Sequence, residues 1–356
     1  MIGPFSSPRE QDERVLRWFG WRTWLLAVLV LVLRVPLWRL PGIGRDEAAY
    51  LDWSRHGELA YAPLLQALLK VTTLLGLPGW IEVRLPSILT GLLVLWLFDR
   101  TLAARELSSG GRRFAVAALA LCAWQTYVGS ILHPDDLMLV PVLGFAWACR
   151  AHKVGAILLC GALAVLAKPS GVLVSLFAGV VLVSGRIELG PHGERLDASP
   201  ARRGLALAVL IAVVGLPLSS TTPAMVEAWH QFGRMRSELG AVDRLGLGLL
   251  GLVILGGPVL VVALGGGLLE AVRRTDSSAP TMLGVAFLIA FGLAALLYGQ
   301  VKANWVLPAA LLLWPTWSIA WPRALRVSAL GVTFAFSALI TTAFAWPVGV
   351  RQLEER

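Results

Sequence analysis

Apolar runs long enough to cross a lipid bilayer follow one another along this chain, with short polar turns between them. A hydrocarbon core of about 30 Å needs about 20 helical residues, and in lipid a helix satisfies all its own backbone groups. The sequence therefore predicts an all-α, polytopic membrane protein with about eleven spans. They are residues 24–40, 85–98, 114–131, 137–148, 154–167, 171–183, 204–218, 245–268, 282–298, 305–321 and 327–346.

Composition agrees with this prediction. The 356 residues are 57% hydrophobic and 15% charged, whereas soluble domains average about 45–50% apolar and about 25% charged residues. The net charge of +9 lies largely in the turns, as in membrane proteins, so nucleic acid is not an expected partner. The three cysteines, Cys122, Cys149 and Cys160, lie in apolar runs without metal-ligand spacing and indicate buried hydrophobic residues.

The chain is predicted to form one membrane domain. Residues 1–23 form a charged, amphipathic cytoplasmic segment, and residues 24–350 form the transmembrane domain. Within it, residues 41–84 make a first outer loop with interfacial helices, and residues 351–356 are a short tail. No Ala-x-Ala pattern follows the first span, so we expect that span to be retained.

Charged residues are distributed unequally between the two predicted faces. More than half of the 31 Lys and Arg residues fall on the side of the N-terminus, which predicts a cytoplasmic N-terminus. Arg outnumbers Lys by 27 to 4, which is typical of a GC-rich bacterial genome and favours a bacterial plasma membrane. Ionisable residues at membrane depth usually line a cavity. We therefore expect one polar cavity that opens outward, formed by Asp46, Glu47, Asp52, Glu82, Arg84, His133, Asp135, Asp136, Lys168, Arg234, Arg236 and Lys302.

Each of these segments also has a purely structural interpretation. Asp46 suits the N-cap of a helix over "AAYLDWSRHG", and "HPDD" at residues 133–136 is a capping pattern too. Lys168 can reach the interface from the end of a span, and "NWV" at residues 304–306 fits an aromatic belt. Taken singly, these motifs are weak.

Their order along the chain is more specific. "RDEAAYLDWS", "WIEVRLPSIL", "HPDDLML", "LAKPSG" and "VKANWVLP" follow one another, and this series resembles the GT-C membrane glycosyltransferases. The likeness is greatest to bacterial members of the dolichyl-phosphate-mannose protein mannosyltransferase and lipid A aminoarabinose transferase group, over roughly residues 34–308. Two features depart from the family pattern. "YAPL" stands at residues 61–64 in place of His-Pro-Pro, and we expect no soluble domain after the last span.

The resemblance implies transfer of a sugar, with inversion, from a polyprenyl-phosphate donor to a lipid, glycan or protein acceptor at the outer face. It implies Asp46 as the catalytic base and Arg84 and Lys168 as ligands of the donor phosphate, while Arg234 and Arg236 are weaker candidates from position alone. Glu47, Asp135 and Asp136 would support acceptor or sugar, or bind Mg²⁺ or Mn²⁺. Further sugar or acceptor contacts are expected from Tyr50, Trp53, Glu82, His133, Lys302, Asn304 and Trp305, and Trp80 is also a candidate for sugar stacking.

Two other functions remain open at this point. A transporter or flippase of a lipid-linked substrate would also need polar groups within the membrane. Such proteins place those groups near the midplane and repeat broken helices in two halves, whereas here the charges gather at one face. The second alternative is an inactive scaffold that has kept the fold. The sequence identifies neither the sugar nor the acceptor.

Overall fold

The computed structural model describes residues 45–56, 62–77, 79–105, 107–128, 131–184, 199–219, 240–297, 305–314 and 322–354. These residues form α-helices, one 3-10 turn and no β-strand, which confirms the all-helical class. The helices are α1 (Arg45–His56), α2 (Pro63–Leu74), α3 (Gly79–Ala104), α4 (Ser109–Leu121), α5 (Ala123–Val128), α6 (Pro134–Arg150), α7 (Val154–Ala167), α8 (Val172–Ser184), α9 (Pro200–Ser219), α10 (Ala241–Arg273), α11 (Ala279–Leu297), α12 (Leu307–Leu313) and α13 (Arg323–Glu354).

Three of these helices contain a stretch that is long and apolar enough to cross a membrane. The stretches are Ile81–Ala104, Gly256–Arg273 and Ala279–Leu296, with mean hydropathies of 1.7, 1.3 and 2.1. Shorter apolar helices accompany them, at Pro63–Leu74, Val154–Ala167, Pro169–Ser184, Leu245–Ile254 and Ala324–Ile340. Length and composition thus indicate a membrane-associated protein, and the count of eleven spans stays a prediction.

Most predicted spans within the described residues coincide with helices. Span 154–167 matches α7, and span 171–183 matches α8 apart from Gly171, which belongs to the 3-10 turn Pro169–Gly171. Spans 85–98, 137–148, 204–218 and 327–346 lie inside the longer helices α3, α6, α9 and α13, and span 282–298 corresponds to α11. Span 24–40 and the second half of span 305–321 lie outside the described residues.

The prediction of one helix over residues 114–131 is wrong. Helix α4 ends at Leu121 because Cys122 takes an extended conformation, with φ −68° and ψ 151°. The backbone N–H of Cys122 still donates to the carbonyl of Leu119, and the chain then resumes helical structure as α5. The apolar run is therefore divided into two helices.

Three helices show details that the sequence does not predict. Helix α10 covers the predicted span 245–268 but is kinked, since Gly257 has φ 71° and ψ 170° and Pro258, which follows it, has no backbone N–H. Helix α1 begins at Arg45, so Asp46 lies in the first turn and not at the N-cap. Helix α13 continues to Glu354, into the segment predicted to be a tail.

Helix α6 lies at the centre of the packing. It contacts α3 on one side and α7 on the other, and Val142, Leu143 and Phe145 are completely buried. Gly144 permits the close approach of α7, because a Cβ there would lie 2.8 Å from the sulfur of Cys160. The first turn of α6 therefore carries Asp135 and Asp136 on a tightly held helix.

Candidate functional site

A buried ion pair joins α1 to α3. The guanidinium of Arg84 donates from Nη1 to Oε1 of Glu47 over 2.6 Å, and the backbone N–H of Leu132 donates to the same oxygen over 2.8 Å. The side chains of Glu47 and Arg84 are 1% and 2% exposed. Because Leu132 precedes α6, this carboxylate connects three segments that are distant in sequence.

A second buried pair joins α6 to the end of α7. The ammonium of Lys168 donates to Oδ1 of Asp135, and Nδ1 of His133 lies 2.8 Å from Oδ2 of the same carboxylate. His133 also accepts from the backbone N–H of Asp135 over 3.3 Å, as an N-cap does. On its other side, Lys168 Nζ stands 5.6 Å from the ring centroid of Trp305, a cation–π distance.

Residues 131–136 connect these two pairs. Leu132 contacts Glu47 through its backbone, and three residues later Asp135 contacts Lys168. The structure thus brings together side chains from separate segments at one end of the helices. We call Glu47, Arg84, Asp135, Lys168 and Trp305 the ion-pair cluster.

The backbone after α7 fixes the position of Lys168. Lys168 is extended, with φ −164° and ψ 144°, and it ends α7. The 3-10 turn that follows folds back closely, since a Cβ on Gly171 would overlap the carbonyl group of Ala164. Glycine is therefore required at position 171, and it holds Lys168 against α6.

Asp136 lies beside the cluster in a different environment from Asp135. Its Oδ2 is buried and has no hydrogen-bond partner within the part of the chain that the structure describes. The buried indole N–H of Trp124 lies near this carboxylate. No sequence motif points to Trp124, which lies at the end of an apolar run, just before Gln125.

Glu82 clamps the two short helices α1 and α2 against α3. Its carboxylate accepts from Arg55 over 3.2 Å and from the hydroxyl of Thr73. The role of Glu82 in the structure is therefore to hold helices together, through partners that no sequence pattern selects.

The two aromatic residues of α1 take different positions. Tyr50 is buried, and its ring packs edge-to-face on that of Trp53, which is half-buried, at a centroid distance of 5.8 Å. Tyr50 is thus part of the helix packing, and of the two rings Trp53 is the more accessible to a sugar.

Several predicted site residues lie outside the described part of the chain. Arg234, Arg236, Lys302 and Asn304 are among them, and so are the side chains of Asp46 and Trp80, although both residues belong to described helices. The backbone of Asp46 is adjacent to Glu47 in α1, which places residue 46 next to the ion-pair cluster.

The acidic residues that the structure describes do not form an evident cation site. Among them, no group of three or more His, Cys, Asp or Glu side chains converges in a way that could hold a metal ion. Lys168 and Arg84 already place positive charge against Asp135 and Glu47. Binding of Mg²⁺ or Mn²⁺ at these carboxylates therefore stays a prediction.

Comparisons with known proteins identify no relative of this chain. No family model, curated protein or solved structure matches this chain.

A second polar network lies at the opposite end of α3. Arg105 donates to Asp276 over 2.7 Å, to the hydroxyl of Ser278 over 2.8 Å and to that of Thr281 over 2.9 Å. Burial raises the pKa of Asp276, but the charge of Arg105 and hydrogen bonds from Arg105 and Ser278 outweigh it and lower the pKa to about 2. The charge pattern of the sequence predicts only membrane anchors at this end.

Proposed function

We propose that this chain is an inverting glycosyltransferase that takes its sugar from a polyprenyl-phosphate donor, with its active site at the ion-pair cluster. The observation that carries the proposal is a pair of buried contacts at one end of apolar helices. Arg84 contacts Glu47 and Lys168 contacts Asp135, and the four side chains come from separate segments. A buried, preorganised set of charges is what a reaction that separates charge needs.

Asp46 is the proposed base. As the acceptor hydroxyl oxygen bonds to the anomeric carbon, the carboxylate of Asp46 takes the hydroxyl proton. The bond between that carbon and the phosphate oxygen breaks, and polyprenyl phosphate leaves with the bonding electrons. The neighbouring residue Glu47 is fixed by Arg84 and Leu132, which supports a defined position for the backbone of residue 46.

Lys168 is the proposed contact for the donor phosphate. An ammonium group has three N–H donors, and Asp135 accepts from Lys168 while Trp305 covers another side. Arg84 is more deeply buried, since its side chain is 2% exposed against 9% for Lys168, and it is bonded to Glu47. We therefore assign Arg84 a positioning role, which revises the expectation that it binds phosphate directly.

An apolar groove near Lys168 is suited to the lipid part of the donor. It has a volume of about 550 Å³ and lies between α8 and α9, lined by residues that include Val172, Leu176, Val180 and Leu210. Val172 is the fourth residue after Lys168, so the groove begins close to the proposed phosphate contact. A polar head and an apolar tail could thus be bound together.

The proposal includes the finer membrane arrangement. The chain would cross a bacterial plasma membrane about eleven times with its N-terminus in the cytoplasm, and the ion-pair cluster would face outside. The excess of Lys and Arg on the side of the N-terminus supports this orientation.

A transporter of lipid-linked substrates is the second candidate. The kink at Gly257 in α10 favours it, because transporters use interrupted helices. A second interruption, at Cys122 between α4 and α5, lies in the other half of the chain. Against a transporter, the ion pairs lie at helix ends and not near the middle of the helices.

Mass spectrometry of cell-envelope glycans distinguishes a glycosyltransferase from a transporter. Glycolipids, glycoproteins and wall polymers are compared between cells with and without the gene, and after complementation. A transferase predicts loss of one sugar from an acceptor and accumulation of the polyprenyl-phosphate sugar. Unchanged glycans, or loss of several unrelated glycans that share a carrier, would contradict the proposal.

A further inference from the structure

One face of α3 is open along its length. Leu89 and Leu93 are 56% and 40% exposed, and Trp96 and Arg100 follow at half-buried positions. At 100° per residue these four positions fall within an arc of about 60°. Since α3 contains the candidate span Ile81–Ala104, this stripe is the surface that would contact lipid.

The stripe ends in an aromatic–cation pair. Arg100 Cζ lies 5.5 Å from the ring centroid of Trp96, so the guanidinium is placed over the indole. Arg100 comes sixteen residues after Arg84, roughly 24 Å along the helix axis at 1.5 Å per residue. The pair therefore lies near the membrane face opposite to the ion-pair cluster.

The acids at this end of the helices that the structure describes are already paired with other arginines. Asp99 forms two hydrogen bonds with Arg112, of 3.1 and 2.6 Å. The other two pairs are Asp276 with Arg105 and Glu270 with Arg274.

Arg100 has no acidic partner in any of the ranges that the structure describes, and its buried Nε makes no hydrogen bond there. A cation that faces lipid without a carboxylate is complementary to an anion supplied by the membrane.

We propose that Arg100 and Trp96 bind the phosphate of an anionic phospholipid whose acyl chains lie along Leu93 and Leu89. Phospholipid phosphates lie at the depth where a span ends, and a guanidinium binds phosphate through two parallel N–H groups. The ring of Trp96 keeps the guanidinium in the interface. Free phosphate would not use the apolar part of the stripe, so a lipid is the occupant. This site is independent of the proposed transferase activity.

Native mass spectrometry of the detergent-purified protein, titrated with phosphatidylglycerol, tests this assignment. We expect Arg100→Gln to lower the fraction of protein with bound lipid at least threefold. Arg100→Lys should bind more lipid than Arg100→Gln and less than the wild type. Trp96→Leu, which keeps the apolar surface, should lower it about twofold. Arg273→Gln is the matched control, because Arg273 is an exposed arginine at the same end of the helices, and it should bind like the wild type.

Two further titrations identify the source of the phosphate. Phosphatidylcholine should bind the wild-type protein several-fold more weakly than phosphatidylglycerol, and millimolar inorganic phosphate should not displace the bound lipid. Thermal unfolding in the same detergent checks that each variant is folded. Equal binding by Arg100→Gln and the wild type, equal binding of both lipids, or displacement by inorganic phosphate would overturn the proposal. If Arg100→Gln does not fold, phosphatidylglycerol binding is compared for Arg100→Lys, Trp96→Leu and the wild type. Binding by both variants equal to that of the wild type would then overturn the proposal.

Discussion

Glu47 and Arg84 form a hydrogen-bonded ion pair of 2.6 Å with both side chains almost completely buried. The sequence predicts different partners for the two residues, an acceptor or cation for Glu47 and the donor phosphate for Arg84. In the structure each is the partner of the other, and the N–H of Leu132 completes the contact. The pair therefore positions α1 and residue 46 relative to the rest of the cluster.

Breaking this pair should cost stability. Glu47→Gln removes the buried carboxylate that accepts from Arg84, and we expect the free energy of unfolding to fall by about 3–5 kcal/mol. The double variant Glu47→Leu with Arg84→Met removes both charges and should recover most of that loss. The free energy of unfolding of the single and the double variant is measured in mixed detergent micelles. Glu270→Gln, in a partly exposed pair with Arg274, is the control and should change stability by less than about 1 kcal/mol. A similar small loss in Glu47→Gln would contradict the positioning role.

Adjacent aspartates should respond differently to the same substitution. Asp135→Asn removes the charge that Lys168 contacts, so we expect a loss of about 3 kcal/mol. Asp136→Asn affects a carboxylate whose Oδ2 makes no hydrogen bond among the described residues, and it should change stability by less than about 1 kcal/mol. The same micelle unfolding experiment compares the two. Equal losses would mean that Asp136 contributes a contact of similar strength.

Acid should weaken the network at the opposite end of α3. The pKa of Asp276 is lowered from 3.8 to about 2 in the folded protein. A lowered folded pKa contributes stability that is fully present above pH 3.8 and is lost as the pH falls towards 2. The contribution is about 2 kcal/mol. Unfolding free energies measured between pH 6 and pH 2 should therefore fall less steeply for Asp276→Asn than for the wild type. Identical slopes would exclude this linkage.

Gly171 should tolerate no side chain. An alanine Cβ would overlap the carbonyl group of Ala164, so Gly171→Ala must displace the turn that carries Lys168. We expect a loss of about 3 kcal/mol or more, read from thermal unfolding in detergent. Gly155→Ala in α7 is the matched control, since no atom lies within 4 Å of the position that its Cβ would take. It should be neutral or stabilising by up to about 1 kcal/mol. A tolerated Gly171→Ala would show that the turn can relax.

The helices were predictable because lipid imposes a length and an apolar composition on every crossing segment. The apolar run at residues 154–167 matches α7 to the residue. The break at Cys122 was not predictable, because residues 114–128 contain neither Gly nor Pro. Contacts of α5 with α10 and α13 accompany the break, and such packing leaves no local signal.

The members of the ion-pair cluster could be selected from the sequence, but their pairing could not. Charged residues at helix ends are visible as departures from an apolar pattern, whereas Glu47 and Arg84 are 37 residues apart. Whether Asp46 or Glu47 points at Arg84 depends on the rotation of α1, and no periodicity in a twelve-residue helix determines that rotation. Trp124 and Thr73 gave no signal because neither stands in a polar motif.

The most direct test of the central claim, that Asp46 is the base of a sugar transfer at this cluster, is complementation of a deletion strain with Asp46→Asn and Asp52→Asn. Asp52 lies in the same helix with an exposed side chain, so its substitution is the matched control. The measurement is the amount of the lost glycan that each variant restores, by mass spectrometry, at equal protein level in the membrane. We predict full restoration by Asp52→Asn and less than about one hundredth by Asp46→Asn, the range expected for loss of a general base. Restoration of the glycan by Asp46→Asn to the level of the wild type would contradict this claim.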